Sequence, residues 1–142
     1  MRNISEIYVN GVSLEEILEK HKKWLNNKCG KRANLMGVDL SYVDLSNVNL
    51  RGANLTDTIL KYANLTDADL SGSDLELADL SGAYLTSAIL RSSNLNSSVL
   101  MGTDLTGADL SYSDLNGVDL RNAVLTDTKL IGVDLSDTKL ND

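Results

Sequence analysis

The chain has 142 residues, a formal net charge of −7, no proline, no phenylalanine and a single cysteine, Cys29. One cysteine excludes an internal disulfide, and no apolar run approaches the roughly 18 residues of a membrane-spanning helix. The start of the chain lacks the basic-then-apolar order of a signal peptide, so we expect a cytoplasmic protein with no membrane contact. With one tryptophan and no phenylalanine, its core has to consist of many medium-sized side chains.

Charge is unevenly distributed along the chain. Residues 1–32 carry seven basic and four acidic residues, whereas residues 33–142 carry six basic and sixteen acidic residues. Direct binding to nucleic acid needs cations that face the phosphates, so the acidic composition argues against it. The acidic part is better suited to a basic protein surface.

The first 32 residues predict a short strand, a tight turn and a helix. Ile7-Tyr8-Val9 reads as the strand and Asn10-Gly11 as the turn. Ser13-Leu14-Glu15-Glu16 matches a capping box, which opens a helix that we expect to end near residues 26–30. Its apolar face consists of Leu14, Ile17, Leu18, His21, Trp24 and Leu25. We expect this face to cover the repeats that follow, with Trp24 as the plug, because an open β-coil exposes unpaired backbone.

From Leu35 to Leu140 every fifth residue is leucine, which gives 22 consecutive positions. The residue two before each leucine is Ala, Val, Ser or Thr, and the residue just before it is Asn or Asp in most repeats. A period of five would distribute the leucines around all sides of a helix, and would place them on alternate faces of a flat strand. The leucines can all point inward only if the chain turns a corner once per repeat, so the repeats have to coil.

Surface residues predict four repeats per coil. Asn or Asp recurs at positions 34, 54, 74, 94, 114 and 134, and threonine recurs at positions 66, 86, 106 and 126. With four repeats per coil, the 22 repeats make about 5.5 coils. At a strand spacing of about 4.8 Å the stack is roughly 26 Å long.

The segments Ala53-Asn54-Leu55-Thr56-Asp57 and Ala68-Asp69-Leu70-Ser71-Gly72 resemble the A-(D/N)-L-x-x pattern of the pentapeptide-repeat proteins. The resemblance covers residues 33–142 and implies an all-β solenoid, a right-handed quadrilateral parallel β-helix, preceded by residues 1–32 as a leader with an α-helical cap. It also implies possible partners. Some members bind DNA gyrase or topoisomerase IV by imitating duplex DNA, and the topoisomerase-binding members form a homodimer through the C-terminal coil.

No arrangement of residues in the sequence indicates catalysis. His21 belongs to the apolar face of the predicted helix, and Cys29 has no second cysteine or histidine nearby for a metal site. There is no glycine-rich phosphate loop and no Ser/His/Asp set. An uninterrupted convex prism also lacks the desolvated cleft that a pair of catalytic carboxylates needs. We therefore expect no enzyme activity, no catalytic or metal-binding residues and no cofactor.

The period of twenty residues assigns each exposed residue to one of four faces, which we name in chain order from Leu35, Leu40, Leu45 and Leu50. The first face is a candidate acidic partner surface, with Asp57, Asp74, Glu76, Asp114, Asp134 and Asp137. The third face carries Asp44, Asp67, Asp104 and Asp127, and neither of these two faces has a basic residue. The second and fourth faces together hold six acidic and six basic residues. The second face also groups a candidate apolar contact patch of Tyr42, Ile59, Tyr62, Val99 and Met101.

Two roles remain open. The first is a non-enzymatic scaffold of unassigned role, which binds an unknown protein or only keeps its shape, with the Asp residues serving the repeat itself. The alternative is an acidic mimic of DNA, because about 26 Å of duplex carries roughly 15 phosphate charges. The sixteen acidic residues of the repeat match that number, but six basic residues dilute them and the projecting loops of quinolone-protection members are lacking.

Overall fold

The computed structural model describes residues 1–141, so Asp142, which the period assigns to the second face, lies outside the described residues. The N-terminal part consists of a 3-10 turn at Ile4–Glu6, strand β1 (Tyr8–Val9), strand β2 (Val12–Ser13) and helix α1 (Leu14–Leu25). Within residues 1–141 no helix has the length and apolarity needed to cross a membrane.

The local signals in the first 32 residues predict strand β1, the turn after it and the start of helix α1, but not the 3-10 turn or strand β2. Helix α1 ends at Leu25, just before the predicted end near residues 26–30. Strands β1 and β2 are antiparallel, and the turn between them has positive φ at Asn10 (51°) and Gly11 (80°). Such a turn suits the right-handed twist of a hairpin. Helix α1 begins directly after Ser13, whose Oγ accepts the N–H of Glu16 at 3.2 Å. The predicted turn and helix start are therefore confirmed.

The repeats stack as parallel coils of twenty residues. Each coil pairs with the next through single-residue parallel bridges, such as the one between Asn34 and Asn54. The N–H of Leu35 donates to the carbonyl of Asn54 at 2.8 Å, and the N–H of Asn54 donates to the carbonyl of Ala33 at 3.0 Å. The same pattern recurs at twenty-residue spacing along the repeats, which confirms the predicted period of four repeats.

A sharp corner separates consecutive bridges. The carbonyl of each leucine accepts the N–H of the third residue after it, as between Leu55 and Thr58 at 3.1 Å. The second residue after the leucine has positive φ in every repeat from residue 37 to residue 132. This hydrogen bond and this φ are features of a type II turn. Glycine tolerates the conformation best, but even Leu77 adopts it, with φ of 59°.

Where Asn or Asp precedes the leucine, as in most repeats, it closes the corner. Its Oδ1 accepts the N–H of the residue after the leucine, as Asp39 does from Ser41 (2.9 Å) and Asp109 from Ser111 (3.0 Å). This arrangement is an Asx turn, in which a short polar side chain takes the place of a backbone acceptor. The expectation that these residues serve the turns is confirmed.

The leucines and the small residues two positions before them form one continuous core. Every repeat leucine from Leu35 to Leu120 is at most 3% exposed, and burial of each contributes about 1.5–3 kcal/mol. Most hydroxyls in the core donate to leucine carbonyls, as Thr58 does to Leu35 at 2.9 Å, whereas the Oγ of Ser98 has no partner among residues 1–141. The core is less covered in the last coil, where Leu125, Leu130 and Leu135 are half-buried and Leu140 is exposed.

Helix α1 packs against the first coil, but not as the sequence predicts. Leu14 and His21 are fully buried, and Nδ1 of His21 accepts the N–H of Ala33 at 3.0 Å. Trp24, the predicted plug, is instead 40% exposed and stacks on the His21 ring with centroids 5.3 Å apart. A core built for leucine-sized side chains takes Leu14 readily, whereas the indole packs on the outside. The other predicted contact residues, Ile17, Leu18 and Leu25, are half-buried.

We expect protonation of His21 to loosen the contact between α1 and the first coil. Burial lowers the pKa of His21 below its ordinary value of 6.5, a backbone carbonyl at Arg51 opposes this, and the charge of Arg32 lowers the pKa further. The unfolded chain therefore binds the proton more readily than the folded chain. The stabilisation by neutral His21 is complete above about pH 6.5 and is lost as the pH falls through the lowered pKa.

Protonated Nδ1 can no longer accept the N–H of Ala33, so the fluorescence of Trp24 should change as the pH falls from about 7 to 5. His21→Gln is the control, because its amide oxygen can still accept that N–H but does not titrate. Persistence of the same transition in His21→Gln would contradict the assignment.

Candidate functional site

The aromatic part of the second face is held in place by the corners. Tyr42 and Tyr62 both occupy the positive-φ position, and their rings stack with centroids 5.2 Å apart and planes inclined by 17°. The ring of Tyr62 lies over Gly82, where an added Cβ would approach the Tyr62 Cε1 to 2.5 Å. Both rings remain about half exposed, at 53% and 47%. The result is a fixed aromatic stack that faces solvent.

The rest of the predicted apolar patch does not join this stack. Ile59 is exposed beside it, whereas Val99 and Met101 are half-buried and lie farther along the coil axis. Asp79 forms bridges with both Ile59 and Val99, and its carboxylate accepts an ion pair from Lys61 at 3.0 Å. A charged layer therefore divides the predicted patch into two smaller parts.

Charges on the second and fourth faces are paired locally. A basic residue after one leucine reaches an aspartate in the same coil or the next, and the charged-atom distances range from 2.6 to 3.8 Å. The pairs are Arg51–Asp69, Lys61–Asp79, Arg91–Asp109 and Arg121–Asp119. In the last pair the Arg121 guanidinium lowers the pKa of the Asp119 carboxyl. These faces therefore present little net charge.

The first and third faces carry carboxylates without ion pairs among residues 1–141. Half of them serve the turns, because each accepts the N–H two residues later; these are Asp44, Asp74, Asp104, Asp114 and Asp134. The backbone N–H of Ser46 lowers the pKa of Asp44 in this way. The others follow the leucine by one or two positions; these are Asp57, Asp67, Glu76, Asp127 and Asp137. Only this second group is free of the Asx turns.

The fourth face has an aromatic site that the sequence reasoning missed. The exposed ring of Tyr112 lies over Gly132, and the guanidinium carbon of Arg91 is 5.6 Å from its centroid. Ile131 beside it is also exposed. The sequence signal for this site is a tyrosine at a corner position with a glycine twenty residues later. Tyr62 and Gly82 have the same spacing.

A groove of about 1190 Å³ lies between helix α1 and the first coil. Its helix side includes Leu18, Trp24 and Leu25, and its coil side includes Asn47, Val48 and Asn49. Among the described residues, no group of three or more His, Cys, Asp or Glu side chains is placed to hold a metal ion.

The repeat pattern also identifies the family to which the chain belongs. The family model for pentapeptide repeats matches in eight copies, over residues 33–72, 63–102, 78–111 and 103–142. The chain belongs to the pentapeptide-repeat family. Members of this family form right-handed quadrilateral β-helices, in agreement with the four-sided coil seen here.

Two solved pentapeptide-repeat structures resemble this chain over most of its length. One, from the thylakoid lumen of Arabidopsis thaliana, is 31% identical with a TM-score of 0.58, and the match covers 76% of this chain and 72% of that one. The other, from Nostoc PCC 7120, is 31% identical with a TM-score of 0.61, and the match covers 87% and 93%. No curated protein matches the chain.

A weaker likeness connects the chain with QnrB1, a plasmid-mediated fluoroquinolone resistance protein. The identity is 21% and the TM-score is 0.32, over 79% of this chain and 86% of that one. At this level the likeness supports no inference about function.

We predict that Gly82→Ala displaces the Tyr62 ring, whereas Gly102→Ala does not. Both glycines have similar φ, 64° and 65°, so the backbone strain of the two substitutions is matched. An added Cβ meets Tyr62 at position 82 but meets nothing within 4 Å at position 102. Overpacking should therefore cost Gly82→Ala about 1–3 kcal/mol more in the free energy of unfolding, measured with urea. Its tyrosine circular dichroism should change as well; identical results for the two variants would refute the fixed stack.

Proposed function

We propose that this pentapeptide-repeat protein is a non-enzymatic scaffold that binds a partner protein through its second face. The observation that carries the proposal is the stack of Tyr42 and Tyr62, two exposed aromatic rings fixed by the corner and by Gly82. Tyrosine is enriched at protein interfaces, and a ring that is already ordered loses little entropy on binding. The paired charges around the stack avoid the cost of burying an isolated ion.

The family membership supports a binding role over catalysis, because pentapeptide-repeat proteins are generally structural or binding scaffolds. The partner surface should be apolar at its centre and tolerant of the ion pair between Lys61 and Asp79 beside the stack. A cytoplasmic location remains a prediction from the sequence, to be checked by cell fractionation.

Single substitutions in each of the two parts of the apolar patch test this proposal. Tyr62→Glu should abolish capture of a partner in a pull-down analysed by mass spectrometry, whereas Met101→Glu should weaken it less, since Met101 lies beyond the charged layer. Tyr112→Glu is the matched control, because Tyr112 is also an exposed tyrosine packed over a glycine, but on the fourth face. An unchanged set of partners in Tyr62→Glu would rule out the second face.

A second candidate function is mimicry of duplex DNA toward DNA gyrase or topoisomerase IV. The carboxylates of the first and third faces favour it, since they form no ion pairs among residues 1–141. The exposed Leu140 and the half-buried leucines of the last coil favour a homodimer through that coil. Two chains joined there would double the length of the acidic faces.

If the protein mimics DNA, it should be a stable dimer in sedimentation equilibrium and should inhibit DNA supercoiling by gyrase. Neutralisation of four of the five carboxylates outside the Asx turns, with Asp57→Asn, Asp67→Asn, Asp127→Asn and Glu76→Gln combined, should remove that inhibition. Asparagine tolerates the positive φ at these corners, so the coil should remain intact. A monomer without effect on gyrase would exclude this candidate and leave the scaffold.

A further inference from the structure

The first coil has no earlier coil to pair with, so its edge presents backbone groups outward. On the third face this edge is filled by the N-terminus of the chain. The N–H of Arg2 donates to the carbonyl of Tyr42 at 2.6 Å, and the carbonyl of Arg2 accepts the N–H of Asp44 at 3.5 Å. Arg2 thereby forms a parallel bridge with Val43. A single extended residue is enough to pair one side of the coil.

The equivalent groups on the next side of the coil are open. They are the carbonyl of Asn47 and the N–H of Asn49, which flank Val48 as Tyr42 and Asp44 flank Val43. Neither group has a backbone partner among residues 1–141. Both residues are exposed, and unpaired edge groups of this kind are templates for an added strand.

The residues that carry these open groups, Asn47 and Asn49, line the coil side of the groove of about 1190 Å³ beside helix α1. Across the groove lie the side chains of Leu18, Trp24 and Leu25, which are half-buried or exposed. The groove therefore combines an open backbone edge with an apolar wall, the two features that recognition of an extended peptide uses.

The charges around the groove indicate which peptide it fits. Glu15 and Glu19 line it and form no ion pair in the described part of the chain, whereas Glu16 is paired with Lys20 at 2.7 Å. The basic side chain of Arg51 also lines it, but lies 3.8 Å from Asp69. Lys22 also lines the groove and forms no ion pair among residues 1–141. The unpaired lining charges are therefore two carboxylates and one ammonium, so the groove is net negative and favours a cation.

We propose that this groove binds an extended peptide segment of a partner protein, which pairs with the coil edge at Val48 in the way that Arg2 pairs at Val43. One residue of the peptide donates its N–H to the carbonyl of Asn47 and accepts the N–H of Asn49. An apolar side chain of the peptide packs against Trp24, and a lysine or arginine reaches Glu15 and Glu19. The groove is separate from the second face, so this proposal does not depend on the scaffold proposal.

Selection of short randomised peptides on phage against the full-length protein tests the proposal. The selected peptides should share an apolar and a basic residue and should bind Asn49→Ala as tightly as the original chain. Asn49→Pro removes the open N–H, which makes no hydrogen bond among residues 1–141, and should bind the peptides about five- to tenfold more weakly by calorimetry. Methylation of the pairing amide in the peptide should have the same effect, and it does so without altering the protein.

Other results would overturn the proposal. The first is that no peptide is selected. The second is that the peptides bind Asn49→Pro and Asn49→Ala equally and that methylation of the peptide amide has no effect. The third is that the double variant Glu15→Gln, Glu19→Gln binds the peptides without loss of affinity. If no peptide binds but the protein self-associates, and Asn49→Pro abolishes that self-association, then the groove binds a second copy of this chain instead. Tyr62→Glu should leave the peptide affinity unchanged, which separates this result from the test of the second face.

Discussion

Positive φ at the second residue after each leucine is the constraint on which the coil depends, because it turns the chain by one corner every five residues. Left-handed backbone costs a non-glycine residue about 1–2 kcal/mol, and twelve of the corners from residue 37 to residue 132 are not glycine. The Asx turn on one side and the buried leucine on the other offset that cost locally. Eight of these twelve repeats carry both the strained corner and an Asn or Asp that forms the Asx turn. In the other four, with corners at Tyr62, Ser87, Ser92 and Asp127, the residue before the leucine is Ile, Tyr or Val and forms no Asx turn.

The same geometry divides the acidic residues into two classes. An aspartate before a leucine accepts a backbone N–H, so its charge accompanies a role that asparagine performs equally well in other repeats, as at Asn54 and Asn64. An aspartate at a corner, such as Asp57, has no such bond. Both classes keep their negative charge. The second class differs in that both carboxylate oxygens are free of backbone hydrogen bonds among residues 1–141 and can contact a partner.

Features that depend on local sequence were predictable, and features that depend on packing were not. The start of helix α1, the hairpin turn and the twenty-residue period follow from capping residues, an Asn-Gly pair and recurring side chains. Trp24 was predicted as the plug because helical periodicity shows which face a residue occupies but not which member of that face fits the core. The separation of the apolar patch by Asp79 could not be predicted from the sequence, because it depends on how three coils stack. The pairing of Arg2 with Val43 has no sequence signal, since an isolated extended residue leaves no period.

The bridge between each residue and the one twenty positions later has a consequence for how the chain can change in length. An inserted residue has no place in this ladder of bridges, so it has to leave the coil as a local bulge or loop if the later leucines are to stay in the core. Duplication of a whole coil would leave each contact between neighbouring layers as it was. Such proteins can therefore lengthen by modular duplication, while the chemistry of an existing face changes by point substitution.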